Sequence, residues 1–341
     1  MQSNIDEKEK KYQKRRRKFL FLWFFFLTIF LSTVTYAWFS ANRIVDLQFF
    51  DIHVETDSGL EVSENAIDWK NALTVNELKN AYKTYPTSLN QIPGVMNPMS
   101  SGGILDANGN MTMFFGQVDN DSGIGYYLTT YRKVEERTTD TSNNGDFIVF
   151  DMFFRTATPR TIYLSGLSYV GPKEGDESIG IENSARIAFI KEGNLPIDSN
   201  INSVQTLKTT DDDNVYIWEP NYDVHTEHGI RNALNTYGIT TTQTNASIIP
   251  YDGVVGTVSS SSMIGLSKAN STDHPSLFKK VDVDIYTKSS NTQNHELFYL
   301  NAGITKIRVY MWLEGQDVDS ENKASHGDII YYLQFTLNPQ G

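Results

Sequence analysis

The sequence predicts a mainly β protein: an antiparallel, jelly-roll-like β-sandwich preceded by one N-terminal signal or transmembrane helix. Three observations carry this expectation. Aromatic residues are abundant, with 18 Tyr and 19 Phe in 341 residues, and Asn, Ser, Thr, Asp and Gly fill the gaps between short apolar runs. That is the composition of strands joined by polar turns. Turn signals separate about a dozen such runs, the spacing of sandwiches and barrels. Finally, the uncharged stretch Phe19–Phe39 stands apart from everything after it.

The chain opens with a basic tract, residues 1–18. Here Lys8, Lys10, Lys11, Lys14, Arg15, Arg16, Arg17 and Lys18 outweigh Asp6, Glu7 and Glu9. Positive flanks stay cytoplasmic, so residues 41–341 are expected outside the membrane. Residues 19–39 carry aromatic side chains around the whole circumference of a helix, with no polar face for a soluble protein to expose. At about 1.5 Å per residue they would cover roughly 30 Å, the thickness of a bilayer core. Two fates remain open. A signal peptidase cut between Ala37 and Trp38 suits the small residue after the apolar run and would leave an extracellular protein. The uncharged run continues to Asn42, however, so an uncleaved anchor holding the protein at the cell surface fits as well.

Thr35-Tyr36-Ala37-Trp38-Phe39-Ser40 resembles the T-[YW]-A-x-F-[ST] signature at the signal junction of camelysin and TasA-type secreted proteins of Gram-positive bacteria. The chain departs from that pattern by lacking a glycine before Thr35 and by carrying Ala41 where an aspartate is common. Near the other end, Arg308-Val309-Tyr310-Met311-Trp312-Leu313-Glu314-Gly315-Gln316-Asp317 is similar to the R-V-x-x-W-x-E-G-x-D strand and turn of surface proteins of Firmicutes that carry the same junction. The two stretches together span about a tenth of the chain. The resemblance implies a secreted or surface β-sandwich, in some relatives a fibre or biofilm-matrix subunit.

Charge and cysteine content exclude several classes. The whole chain carries −12 and the basic tract +5, so the rest carries about −17, which argues against nucleic acid and tightly bound anionic membranes as partners. With no cysteine, thiol catalysis, cysteine zinc sites and disulfide frameworks are all absent. Four N-x-[ST] sequons, at Asn110, Asn120, Asn245 and Asn270, are expected by chance in so Asn- and Thr-rich a chain.

Ile44–Thr56 is the first strand, and its apolar face changes sides. Val45, Leu47 and Phe49 occupy odd positions, whereas Phe50, Ile52 and Val54 occupy even ones. Side chains alternate with period two, so the switch requires a bulge or a strand that serves two surfaces. In the second case Val45, Leu47 and Phe49 form an assembly strand for a neighbouring copy. Gly59–Ser63 reads as a short second strand. Thr74-Val75-Asn76-Glu77 is a capping box starting a helix to about Tyr82. Residues 85–103 are loop, punctuated by Pro86, Pro93, Gly94, Pro98 and Gly102-Gly103.

Asn108-Gly109 turns the chain into a strand over Met111–Val118. Ile124–Lys133, Asp146–Thr156, Arg160–Val170 and Ala185–Lys191 follow as strands. Within Asp146–Thr156 both faces are apolar except at Asp151, as a covered central strand would be. A buried carboxylate needs a partner, and nearby Arg155 or Arg160 is the expected one. Val215–Trp218 is a short strand, His228–Tyr237 a turn or two of helix, and Thr240–Ser276 a polar loop. Val281–Tyr286, Thr305–Leu313 and Asp328–Leu337 close the chain as strands. In the middle one Ile307, Val309, Met311 and Leu313 face inward, and Lys306, Arg308 and Tyr310 face out.

Candidate chemistry is sparse. His225-Thr226-Glu227-His228 is the one histidine cluster, but its i, i+3 spacing and the Glu beside the second His depart from H-E-x-x-H. Camelysin-type relatives have been labelled metallopeptidases, which keeps that class in play through the resemblance. Asp211-Asp212-Asp213-Asn214 and the stretch holding Asp317, Asp319 and Glu321 are acidic turns of the kind that bind calcium, although neither fits the EF-hand loop. Trp218-Glu219 and Trp312-x-Glu314 pair an indole with a carboxylate at strand ends, as sugar sites do. Serine-nucleophile, phosphate-loop and dinucleotide motifs are missing. The expected class is therefore a non-enzymatic, exported structural protein, with itself as homo-oligomeric partner. The alternatives are a membrane-tethered binding module and, behind it, a metallopeptidase.

Overall fold

The computed structural model describes residues 50–56, 59–123, 125–135, 145–172, 180–237, 240, 251–265, 268–285, 293–320 and 328–339. The segment 1–49, with Ala37, Trp38, Val45, Leu47 and Phe49, lies outside them, as does Glu321. Of the described residues 44% are strand and 12% helix, far from the third or so of helix in an average globular domain. No helix among them is long and apolar enough to cross a membrane.

In chain order the strands are β1 (Phe50–Thr56), β2 (Glu61–Ser63), β3 (Ala72–Thr74), β4 (Pro98–Ser100), β5 (Met113–Asp121) and β6 (Gly125–Lys133). Next come β7 (Ile148–Thr156), β8 (Arg160–Leu164), β9 (Tyr169–Pro172), β10 (Ala185–Leu195), β11 (Val215–Glu219) and β12 (Asp252–Val254). The last six are β13 (Ile264–Gly265), β14 (Phe278–Lys280), β15 (Asp284–Ile285), β16 (His295–Leu300), β17 (Gly303–Glu314) and β18 (Ile329–Thr336). Among the described residues three α-helices interrupt them: α1 (Val75–Asn80), α2 (Ile201–Gln205) and α3 (Glu227–Tyr237).

Two sheets face each other. The larger is centred on β17, which runs antiparallel to β10 on one side and to β7 on the other. Beyond the end of β7, β4 takes over beside Leu313 and Glu314 and carries β5, β6 and β13 outward. On the opposite flank β11 and β15 extend from β10. The smaller sheet has the order β16-β8-β18-β1-β3, with β9 also on β18. Its first strand lies parallel to its last, Phe50 opposite Ile329 and Thr56 opposite Phe335.

Apolar side chains from both sheets meet in one core. Phe335 shows the contact: its ring lies 5.0 Å from Phe154 and 5.8 Å from Phe189, both on the other sheet. Val54 of β1 is fully buried in the same core. A second core covers the far face of the large sheet, where Phe147, Val149, Ile190, Tyr310 and Trp312 pack under Leu105, Met111 and Tyr251. The strands β7, β10 and β17 are thus covered on both faces, and every residue of β17 is buried. Lys306, Arg308 and Tyr310, expected to face out, are 2%, 3% and 0% exposed. Alternation assigned them correctly to the second face of the strand but could not reveal that the chain folds back over that face.

Other elements follow their local chemistry. The capping box forms as expected, with Thr74 N donating to Glu77 Oε2 at 2.8 Å and Glu77 N donating to Thr74 Oγ1 at 3.4 Å. At Asn108-Gly109 the glycine adopts φ +68°, as the tight turn requires. Arg160–Val170 divides into β8 and β9 around a turn closed by Ser168 N on Ser165 O. Within Val281–Tyr286 only Asp284–Ile285 is described as strand, and β14 ends just before it. The strand β16 was not anticipated, because its apolar positions are spaced irregularly around a bulge between Glu296 and Phe298. In the polar stretch 240–276, β12 and β13 form and bury Val254 and Ile264 in a third small core with Phe114, Leu128 and Phe278.

Candidate functional site at the end of the central strand

Two buried charge clusters sit on the large sheet. The first surrounds Asp151 on the face covered by the second core. Arg308 donates to Asp151 Oδ1 through Nε at 2.8 Å and to Oδ2 through Nη2 at 3.2 Å. Tyr85 donates its hydroxyl to Oδ2 at 2.8 Å, and Lys306 Nζ lies 3.3 Å from the same oxygen. Arg308 also faces Glu192 at 3.1 Å. The Asp151 partners proposed from sequence are elsewhere: Arg155 pairs with Glu61, and exposed Arg160 donates to Thr158. Arg155 shares the face of Asp151 but stands four residues, about 13 Å, further along the strand, and Arg160 begins the next one, whereas β17 places Arg308 directly opposite Asp151. Burial alone would raise the Asp151 pKa, but Arg308 and Lys306 outweigh it and hold the carboxylate well below its usual range.

The second cluster lies where β17 ends, and it gathers three stretches that the sequence singles out separately. Arg186, near the start of β10, places Nη2 2.7 Å from Glu219 Oε1 and 2.8 Å from Asp317 Oδ2. Its Nη1 donates to Ala185 O at 2.9 Å. Glu314 accepts from Trp312 Nε1 at 3.1 Å and from Gln316 N at 3.2 Å, with Tyr251 and Ser100 also facing it. His225 Nδ1 lies 2.8 Å from Asp319 Oδ2. Asp319 Oδ1 accepts from Thr226 N at 2.9 Å and Thr226 Oγ1 at 2.8 Å, just ahead of α3, where a helix N-terminus favours a carboxylate. A Cβ at Gly229 would collide with the Asp319 carboxylate, so this helix rests directly on it.

Burial shapes the acidity of these groups. It pushes the Glu314 carboxyl up to about 7, despite Trp312 and Arg186. Burial also raises Asp317 and Glu219 against the pull of Arg186. For His225 burial acts downward, but the bonded Asp319 carboxylate, with Asp317 and Glu219 near, prevails and raises it.

Of the calcium candidates, Asp317 and Asp319 turn inward onto Arg186, His225 and Thr226, and Glu321 lies outside the described residues. Asp212 belongs to neither cluster; its Oδ1 accepts from Leu105 N at 2.8 Å. Among the described residues no group of three or more His, Cys, Asp or Glu is placed to hold a metal ion. Trp218 and Trp312 are fully buried and offer no surface to a sugar. Arg186 escaped the sequence reading. Its signal was available, since a lone arginine inside the apolar run Ala185–Ile190 poses the same question as Asp151.

Comparison with protein-family models, with curated proteins and with solved structures finds no match.

Proposed function

We propose that this chain is an exported structural protein of the cell surface whose copies join through residues 44–49, as subunits of a fibre or matrix. The signal-like N-terminus and its junction motif supply the export, and a jelly-roll-like sandwich supplies the body. One observation carries the assembly. β1 sits inside the smaller sheet, parallel to the last strand, with Val54 in the core between the sheets. Alternation then assigns the even-numbered set to the home core and leaves Val45, Leu47 and Phe49, on the odd set, without an inward place in the same straight strand. A neighbouring copy that accepts this strand would bury them and gain backbone hydrogen bonds, a recurrent mode of association.

The test replaces Leu47 and Phe49 by Asp in the exported chain, followed by size exclusion and negative-stain imaging. Charges in an apolar pocket are strongly disfavoured, so the variant should remain monomeric with an unchanged unfolding midpoint. Oligomers like those of the wild type, together with a loss of stability of about 1.5–3 kcal/mol per side chain, would assign the segment to its own subunit instead.

A further inference from the structure

We propose that the cluster around Arg186 is a proton-operated latch, which fastens helix α3 and the turn 315–320 to the end of the large sheet in mildly acidic solution and releases them as the pH rises through neutrality. The carrying observation is a charge imbalance in a dry place. Four carboxyl groups, on Glu219, Glu314, Asp317 and Asp319, have side chains no more than a tenth exposed. Facing them, among the described residues, are one permanent cation, Arg186, and one histidine, His225. Within that set two carboxyls are unmatched even with His225 charged. The cluster around Asp151 provides an internal contrast, because there two acids, Asp151 and Glu192, meet two bases, Lys306 and Arg308. Unmatched buried carboxylates take up protons rather than stay charged.

Among the described residues, groups face this site from every element around it. β10 contributes Arg186, β11 Glu219, β4 Ser100 and the segment before β12 Tyr251. β17 and its turn contribute Trp312, Glu314, Gln316, Asp317 and Asp319. His225 and Thr226 arrive from the approach to α3, with Glu182, Asp223 and His228 on adjoining segments and Glu227 and Arg231 exposed on the helix. A second, independent sign is that two buried nitrogens within the cluster, Arg186 Nε and His225 Nε2, have no hydrogen-bond partner among the described residues.

The direction is the same for every shifted group. Glu314, Glu219, Asp317 and His225 all bind their protons more tightly in the folded chain. Their contribution is complete below their unfolded values and is lost as pH rises through the folded ones. Glu314 alone, moved from 4.5 to about 7, lowers the closed-to-open ratio about 300-fold between the fully protonated and fully ionised limits, and about 30-fold between pH 5.5 and 8.5. Release of Asp319 frees α3, since that carboxylate holds Thr226 and lies against Gly229. The latch belongs to the single chain and is independent of assembly through residues 44–49.

Amide hydrogen exchange of the full chain in detergent micelles, at pH 5.5, 7 and 8.5 and corrected for intrinsic base catalysis, tests this. Protection of residues 225–237 and 315–320 should fall at least about 30-fold over that range, while β7 and β18 keep theirs. Glu314→Gln, which cannot ionise, should retain at least tenfold more protection at pH 8.5 than the wild type does. Protection in the wild type that is independent of pH, or that falls equally in both sheets, would overturn the latch. So would an identical profile in Glu314→Gln; if that variant does not fold, the wild-type profile decides.

Discussion

Asp151→Asn isolates the electrostatic part of the first buried cluster, because the side chain keeps its size and opens no cavity. The carboxylate receives Arg308 at 2.8 and 3.2 Å and Tyr85 at 2.8 Å, and it faces Lys306 at 3.3 Å. An amide can satisfy part of that set with its oxygen, but its NH2 group then meets donors, and the site is left with one excess positive charge 2% exposed to solvent. Removing one partner from a buried ion pair costs about 3–5 kcal/mol. At about 2–4 °C of melting temperature per kcal/mol for a chain of this size, the midpoint should drop by roughly 10 °C. Urea titration followed by tryptophan fluorescence reads the loss, since Trp218 and Trp312 are fully buried and report unfolding. The slope should not change. Arg155→Gln is the control: its pair with Glu61 is 30% and 43% exposed, and such pairs contribute about 0–1 kcal/mol. A loss below about 1 kcal/mol for Asp151→Asn, or an equal loss for Arg155→Gln, would refute this account of the cluster.

Thr74→Ala removes the hydroxyl half of the capping box at α1 and should cost about 1 kcal/mol in the same titration; no loss would mean that the Glu77 contact to Thr74 N suffices. N-terminal sequencing of the extracellular form should begin within a residue or so of Trp38, and a protein beginning at Met1 would establish the uncleaved anchor instead.

What the sequence determined by itself is what local chemistry governs. Apolar runs and period-two alternation located β5, β6, β7, β10, β17 and β18 to within a few residues, since a strand's faces are written into consecutive positions. The capping box and the Asn108-Gly109 turn followed from hydrogen bonding and backbone freedom inside four residues. The weight of Asp151 was also visible, as a charge in an otherwise apolar run is a local anomaly. Its partner was not. Arg308 lies 157 positions away and meets Asp151 only because β17 pairs with β7 in one register. The same holds for the second cluster, where Glu219, His225 and the pair Asp317 and Asp319 were noticed in three separate stretches. Only the pairing of β10 with both β11 and β17 brings Arg186 among them. Burial of Lys306 and Arg308 was likewise decided by tertiary structure, because alternation says which residues share a face and not what covers it. Charge pairs and coverage depend on contacts distant in sequence, and a chain records those only through the fold that makes them.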